Sequence, residues 1–221
     1  MYESWDIIEN NLFKTVDSAD LKYLKSVSKP FKYSKNEVVF LQGDRSNSIF
    51  FLNIGRVKIS KINLDGRKLT FDIIEPGEFF GELSMSKELE RRTIAEAVVE
   101  SSGYEMRSSD FEVFLQKRPD IAIRLIQMIG DKRLALEKLL EDMIFMDVQS
   151  RVVSLFLRYS DIDTLKIPLT HQEIADMTGA TRVSVSRTIA KLRKDGLIET
   201  QGERIKLINK QTLQNILNIE R

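Results

Sequence analysis

Between Thr170 and Glu199 the chain reads THQEIADMTGATRVSVSRTIAKLRKDGLIE, and the order of its polar and apolar residues leaves few ways to fold. Thr170 followed three residues later by Glu173 is a capping box, in which hydroxyl and carboxylate satisfy free backbone donors at a helix start. A short helix is therefore predicted from there to near Met177. Gly179 marks a turn, because a residue without a side chain takes a positive φ cheaply, and Thr181 is a second N-cap. A second helix follows, ending near Gly196. Its Val185, Ile189 and Leu192 stand at i, i+4 and i+7 and form a narrow apolar stripe for the core.

The opposite face of that second helix carries Val183, Arg187 and Lys194, while Arg182 projects from the first turn. An arginine can fork onto guanine O6 and N7 and a valine can touch a thymine methyl, so these residue types suit reading base edges in a major groove. The lysines suit phosphate contacts. The candidate DNA contacts are Thr170, His171, Thr181, Arg182, Val183, Ser184, Ser186, Arg187 and Lys191. After Gly196, Leu197 to Thr200 and Glu203 to Ile208 alternate around Gln201 and Gly202 and predict a hairpin. The segment as a whole reads as a winged helix-turn-helix. A two-helix hairpin with a merely solvated basic face is the blander alternative, and it does not account for capping box, glycine and stripe standing in register.

Charge agrees with that placement. The 221 residues carry 34 basic and 33 acidic side chains, a formal net charge of +1. From Arg151 onward there are 12 Lys and Arg against 8 Asp and Glu, a balance of +4, which leaves −3 for the rest; the basic excess lies on the candidate DNA-binding part. No cysteine is present, which excludes disulfides, thiolate-held iron-sulfur clusters and cysteine zinc sites. The one histidine, His171, sits in the first turn of a predicted helix, and a metal or haem site needs more convergent ligands than that. No metal, haem or other cofactor is expected. The N-terminal MYESWDIIENNLF is acidic and lacks a basic segment before an apolar one, so no signal peptide is expected. No apolar run reaches membrane-spanning length, and a cytoplasmic location with no membrane partner is expected.

Upstream, from about Asn36 to Met106, the short runs EVVFLQG, SIFFLNIGRVKIS, KLTFDIIEPG and TIAEAVVE are separated by glycines and predict a small antiparallel barrel or roll. Ser4 to Phe13 and Ser18 to Val27 show helical spacing and are expected to pack on it, with Trp5 and Phe13 as core residues. Within the roll, Pro76 to Ala97 reads PGEFFGELSMSKELERRTIAEA. A turn ending in a helix start near Leu83 and Ser84 offers backbone donors to an anion. Arg92 can fork onto a phosphate, Thr93 adds a hydroxyl, and Glu82, an acceptor when ionised, suits a ribose hydroxyl. An internal Glu82 to Arg92 ion pair kept as scaffold is the other reading of the same two residues.

Gly81, Glu82, Leu83 and Ser84, with Arg92, Thr93 and Ala95 downstream, resemble the phosphate-binding cassette of cyclic-nucleotide-binding domains. Together with the winged helix, almost the whole chain resembles the cyclic AMP receptor protein and fumarate-nitrate regulator family of bacterial transcription factors. The resemblance implies an α+β chain with a cyclic-nucleotide-binding-like antiparallel β-roll at 1–117, a dimerisation helix at 118–146 and a winged helix-turn-helix at 147–221. It implies an effector held by Gly81, Glu82, Leu83, Ser84, Arg92 and Thr93, and DNA contacts at Arg182 and Arg187. Two departures stand out. Leu136 and Glu137 occupy the positions where the family's namesake has a threonine and serine that meet adenine, which puts cyclic AMP itself in question and leaves other cyclic nucleotides or small anions. Val183 replaces a glutamate that reads the operator there, so the preferred half-site should differ.

The long helix begins after Pro119, a residue suited to a first turn, and continues to about Met146, roughly 40 Å. Ile126, Ile129, Leu136, Leu140 and Met143 follow alternating spacings of three and four, interrupted by Arg133, as a short coiled-coil seam does. Leu125, Met128, Leu139 and Phe145 form a second apolar face. A buried helix in a monomer also has two apolar faces; the resemblance implies instead a homodimer, with a near-palindromic duplex and RNA polymerase as further partners. Asp147 resembles the family's hinge residue and is placed to cap a helix from Val148 to Tyr159. An enzyme would need a nucleophile or acid-base pair in the roll, and the lone histidine lies elsewhere. A regulator that binds DNA without a nucleotide, and a nucleotide sensor acting on a protein partner, are the remaining alternatives.

Overall fold

The computed structural model describes residues 11–13, 15–86, 88–165 and 168–219. The expected helix at Ser4 to Phe13, Trp5 and the reading of the N-terminus lie largely outside these residues; Asn11–Phe13 forms one 3-10 turn, and Leu12 and Phe13 are fully buried. The chain divides into two compact units, one of residues up to Gly66 with Phe71–Arg133, the other of Arg67–Thr70 with Leu134–Arg221.

In the first unit, helix α1 (Ser18–Val27) starts at Asp17, whose carboxylate accepts from the amides of Ala19 and Asp20 while Asp20 reaches back. Eight strands follow: β1 (Ser28–Tyr33), β2 (Val38–Phe40), β3 (Ser48–Ile54), β4 (Val57–Ile62), β5 (Lys68–Ile74), β6 (Phe79–Phe80), β7 (Ile94–Ala97) and β8 (Ser101–Arg107). They form two four-stranded sheets, β1-β8-β3-β6 and β2-β7-β4-β5. Strand β1 lies outside the runs predicted as strands and at a sheet edge, where Pro30 costs no ladder hydrogen bond. Its register is set by β8, from Ser28 opposite Met106 to Tyr33 opposite Ser101.

Strand β3 explains why this unit has two cores. Successive side chains point to opposite faces of a strand, and here both faces are buried. Ile49 and Phe51 join Leu12, Phe13, Phe79, Phe111, Phe114, Ile121 and Leu125 in one cluster, which brings in α2 (Ser108–Lys117) and the first turns of α3 (Pro119–Phe145). Phe50 and Leu52 face the roll interior with Phe40, Val57, Ile74, Phe80 and Ala95. There Phe50 stacks on Phe80 at 4.9 Å between centroids, and Phe31 and Phe40 stand within 6.5 Å of both. Offset and edge contacts of this kind add about 0.5–1.5 kcal/mol per pair beyond area burial.

The second unit takes the end of α3, then α4 (Val148–Arg158), α5 (His171–Thr178), α6 (Arg182–Lys194), the hairpin β9 (Ile198–Gln201) and β10 (Arg204–Leu207), and α7 (Lys210–Ile219). Asp147 caps α4 by accepting from the Ser150 amide at 2.8 Å. Among the described residues no helix is long and apolar enough to cross a membrane.

Candidate effector cassette and nucleic-acid interface

The helix-turn-helix is built as its local signals require. The Thr170 hydroxyl accepts from the Glu173 amide and the Glu173 carboxylate accepts from the Thr170 amide, so both halves of the capping box are made. Gly179 adopts φ 61°, ψ 27° and donates to the Ala175 carbonyl, closing α5 in the left-handed form that glycine tolerates best. Thr181 opens α6, accepting from the Ser184 amide. Val185, Ile189 and Leu192 are 0%, 4% and 1% exposed, and Ile174, Ala175 and Met177 of the adjoining α5 are buried too. That burial fixes which face of α6 is outward.

On the outward face Arg182, Val183 and Arg187 are exposed, Val183 at 59%. The Thr181 and Ser184 hydroxyls bond one another at 2.9 Å. His171 of α5 reaches Ser186 of α6 through Nδ1 at 2.8 Å, a cross-brace between the two helices. The Lys191 ammonium donates to Gln149 at 2.7 Å, which holds a cation at the start of α4. A cleft of about 490 Å³ is lined by Leu169, Thr170, His171, Gln172, Arg182, Gly202 and Glu203, so the turn of the hairpin and the start of α5 face the same space. Exposed cations and hydroxyls over a rigid two-helix base can grip a polyanion.

In the roll, Gly81 takes φ 79°, ψ 14° and leads into a 3-10 turn at Glu82–Met85. The Ser84 amide donates to the Gly81 carbonyl at 3.0 Å, so that donor, expected to be open to an anion, is spent on the turn. The Ser84 hydroxyl is buried without a partner among the described residues. Leu83 is 46% exposed, and Glu82 and Thr93 are half-buried.

Arg92 does not turn into the roll. Its side chain is 61% exposed and pairs with Glu88 at 2.8 Å, an i,i+4 surface pair that holds the Glu88 carboxyl below its ordinary range. Neither an inward-facing Arg92 nor a Glu82 to Arg92 pair is present. The inward arginine is Arg91, 5% exposed. The backbone explains this. Arg91 donates its amide to Asp44 and accepts from Gly43, and Glu90 bridges Arg45, an extended pairing in which alternate side chains face opposite ways. Arg91 then lies against Phe40 and Phe50, members of the roll core.

Inside the roll the Arg91 guanidinium donates to the Gly81 carbonyl at 3.1 Å, to the Ser48 carbonyl at 2.7 Å and to the Ser48 hydroxyl at 3.0 Å. It lies over the Phe40 ring at 4.3 Å. Its Nε has no partner among the described residues. Burial pulls the Arg91 pKa down, opposed by the charges of Glu105, Glu82 and Asp44, and a guanidinium still remains charged. A Cβ added to Gly81 would stand 2.8 Å from Arg91 Nη1, so this position needs glycine both for its φ and for the arginine's approach. Among the described residues, no group of three or more His, Cys, Asp or Glu could hold a metal ion.

Comparisons with known proteins cover both regions of the chain. Residues 30–118 match the cyclic nucleotide-binding domain model and residues 150–216 the Crp-like helix-turn-helix domain model. The CRP-like cAMP-activated global transcriptional regulator of Mycobacterium tuberculosis is 25% identical over 210 residues, covering 91% of this chain and 94% of that protein. The cAMP-activated global transcriptional regulator Vfr of Pseudomonas aeruginosa is 28% identical over 183 residues, 78% of this chain and 86% of its own. Among solved structures, FixK2 of Bradyrhizobium japonicum superposes with a TM-score of 0.76 at 24% identity, covering 86% of this chain and 96% of that one. With a nucleotide-binding-type roll, a long helix and a Crp-like helix-turn-helix in this order, the chain belongs to the cyclic AMP receptor protein and fumarate-nitrate regulator family of transcriptional regulators.

Proposed function

We propose that the chain acts as a homodimer on a near-palindromic operator, with α6 of each copy reading one half-site and the roll serving as the control module for a small anionic effector. The orientation of α6 carries this reading: its apolar stripe is buried while Arg182, Val183 and Arg187 are outward. Two such helices on a two-fold axis enter successive major grooves about 34 Å apart. The seam expected on α3 supports the dimer, since Ile126, Ile129, Leu136 and Leu140 are 68%, 41%, 47% and 58% exposed, an apolar face, interrupted at Arg133, that a second copy would cover. Thr170, His171, Thr181, Ser184, Ser186 and Lys191 supply hydroxyl and cationic contacts to phosphates. RNA polymerase is the further partner that family membership supports.

For the effector, the buried Arg91 guanidinium bonds only neutral oxygens, and its Nε and the Ser84 hydroxyl are unspent. Buried polar atoms normally find partners, and an anion at the Gly81–Ser84 turn satisfies both, with Glu82, Leu83, Thr93 and an Arg92 released from Glu88 completing its surroundings. A cyclic nucleotide is one member of that class. A second reading, DNA binding without a nucleotide, is favoured by the packing of Phe31, Phe40, Phe50 and Phe80 in the roll interior. The test is selection of operators from random duplexes, followed by affinity measurements with and without cyclic nucleotides and simple phosphates. Enrichment of a symmetric site establishes the DNA function. An affinity that no anion alters decides for the second reading, and enrichment of no symmetric site rejects both.

A further inference from the structure

The end of α3 carries two kinds of residue on opposite sides. Leu136, Leu140 and Ile144 are 47%, 58% and 64% exposed, whereas Asp142, 200° round the helix from Leu140 at 100° per residue, is 4% exposed. Its Oδ2 accepts from the Ser154 hydroxyl of α4 at 2.9 Å, and Arg158 of α4 stands 3.8 Å from the same oxygen. Lys138, one turn back on α3, lies 2.9 Å from Oδ1. The next residue, Met143, meets the turn of the helix-turn-helix, because a Cβ on Gly179 would lie 3.2 Å from its Cε. Arg151 of α4 donates to the Thr178 carbonyl at 2.9 Å, and Arg151 and Asp142 face one small cavity with Met143 and Thr178. One buried carboxylate thus ties the seam-bearing helix to α4, and α4 in turn holds the turn that leads into α6.

We infer that Asp142 is a positioning residue that fixes the angle between the dimer seam and the recognition helix, and so the half-site spacing the dimer accepts. The inference rests on the dimeric DNA-binding reading above. Its physical basis is that apolar surfaces can slide over one another, while a buried charge is satisfied in few geometries and is costly to leave unpaired in the others. The chain uses a charge here although Ile144 and Leu140, on the same helix, are apolar. Asp142 touches no DNA; it acts through α4 and the turn.

The experiment uses the full chain and the symmetric operator that selection yields, with one base pair added or removed at its centre. Each change rotates and shifts one half-site by about a tenth of a helical turn. The wild type is expected to lose about tenfold or more in affinity on either altered spacer. Asp142→Leu, of similar volume, and Ser154→Ala, which removes only the hydroxyl, are expected to narrow that loss to about threefold or less. Thermal melts establish which variants are folded, and Ser154→Ala, which removes one half-buried hydroxyl, keeps the test available if Asp142→Leu is not. A folded variant that keeps the full spacing penalty overturns the inference, because a merely structural role changes stability and leaves spacing alone. A wild type with no symmetric operator overturns the underlying reading itself, and this shows before any variant is made.

Discussion

Arg187→Ala separates reading of bases from attraction to phosphates. Arg187 lies on the exposed side of α6, opposite Val185, Ile189 and Leu192, so truncating it removes no core contact, and alanine is the better helix former. The melting temperature should be unchanged, and any loss belongs to the interface. A bidentate arginine to guanine contact is worth about 1–3 kcal/mol of discrimination. In the proposed dimer each copy contributes one Arg187, so the operator should lose about 2–6 kcal/mol, on the order of 30-fold to 10⁴-fold. Fluorescence anisotropy on the selected operator and on a scrambled duplex, each over a salt series, gives both terms. The scrambled duplex should lose little more than one cation per copy accounts for, a salt slope shallower by about 0.9 per contact. Lys191→Ala is the control, because its ammonium is held by Gln149 and suits a phosphate, so both duplexes should weaken alike. Equal losses on both duplexes for Arg187→Ala would reduce Arg187 to a phosphate cation. No loss on either would mean that α6 is not the reading helix.

Three further outcomes are expected. Leu140→Glu places a charge within the proposed α3 seam, where an uncompensated charge costs about 3–5 kcal/mol when buried; sedimentation should show a monomer with operator affinity lost, and a persisting dimer would place the interface elsewhere. Arg91→Met strips donors from the Gly81 and Ser48 carbonyls and should lower stability in urea by about 2–5 kcal/mol, while Arg92→Met on the surface should leave the midpoint in place; the reverse order would show that Arg92 is the inward residue. Arg118 holds the Asp120 carboxyl down to about 2. A depressed carboxylate contributes stability that is present above its unfolded value and lost as pH falls through the folded one, so the urea midpoint should decline between about pH 4 and 2, and Asp120→Asn should flatten that part of the profile; the pair is exposed, so high salt should shrink the effect.

The DNA-binding half of this chain was legible because its signals are local. The capping box spans Thr170 to Glu173, the turn is one glycine, and the stripe of Val185, Ile189 and Leu192 is read from spacing alone. The roll was legible only as a set of strands, because what decides it is pairing between distant segments. Strand β1 reads as polar and contains a proline, and nothing within SKPFKY says that it will pair with Ser101–Met106. The two arginines of the cassette are harder still, being adjacent and identical. What separates Arg91 from Arg92 is backbone pairing to Gly43 and Asp44, nearly 50 residues earlier. The Asp142 contact had no signal either: a carboxylate at that point of an amphipathic helix reads as solvated until Ser154 and Arg158 of α4 are placed beside it.

The shared wall of the roll limits how an occupant can be felt. Arg91 lies over Phe40, 4.3 Å from its ring, and 5.6 Å from Phe50, so an anion that drew the guanidinium toward the Gly81 turn would free one face of both rings. Phe50 cannot answer alone. It is stacked on Phe80, and both belong to strands whose alternate residues, Ile49, Phe51 and Phe79, sit in the other core against Phe13 and Phe111. That second core also contains Ile121 and Leu125, at the start of α3. Close-packed interiors yield little to small displacements and tend to switch between arrangements. A rearrangement of the aromatic set therefore reaches the base of α3 through two strands buried on both faces, whereas a contact at exposed Arg92 and Glu88 has no such route. An occupant of the kind proposed for this roll is therefore expected to act through Arg91, the cation that lies against Phe40 and Phe50.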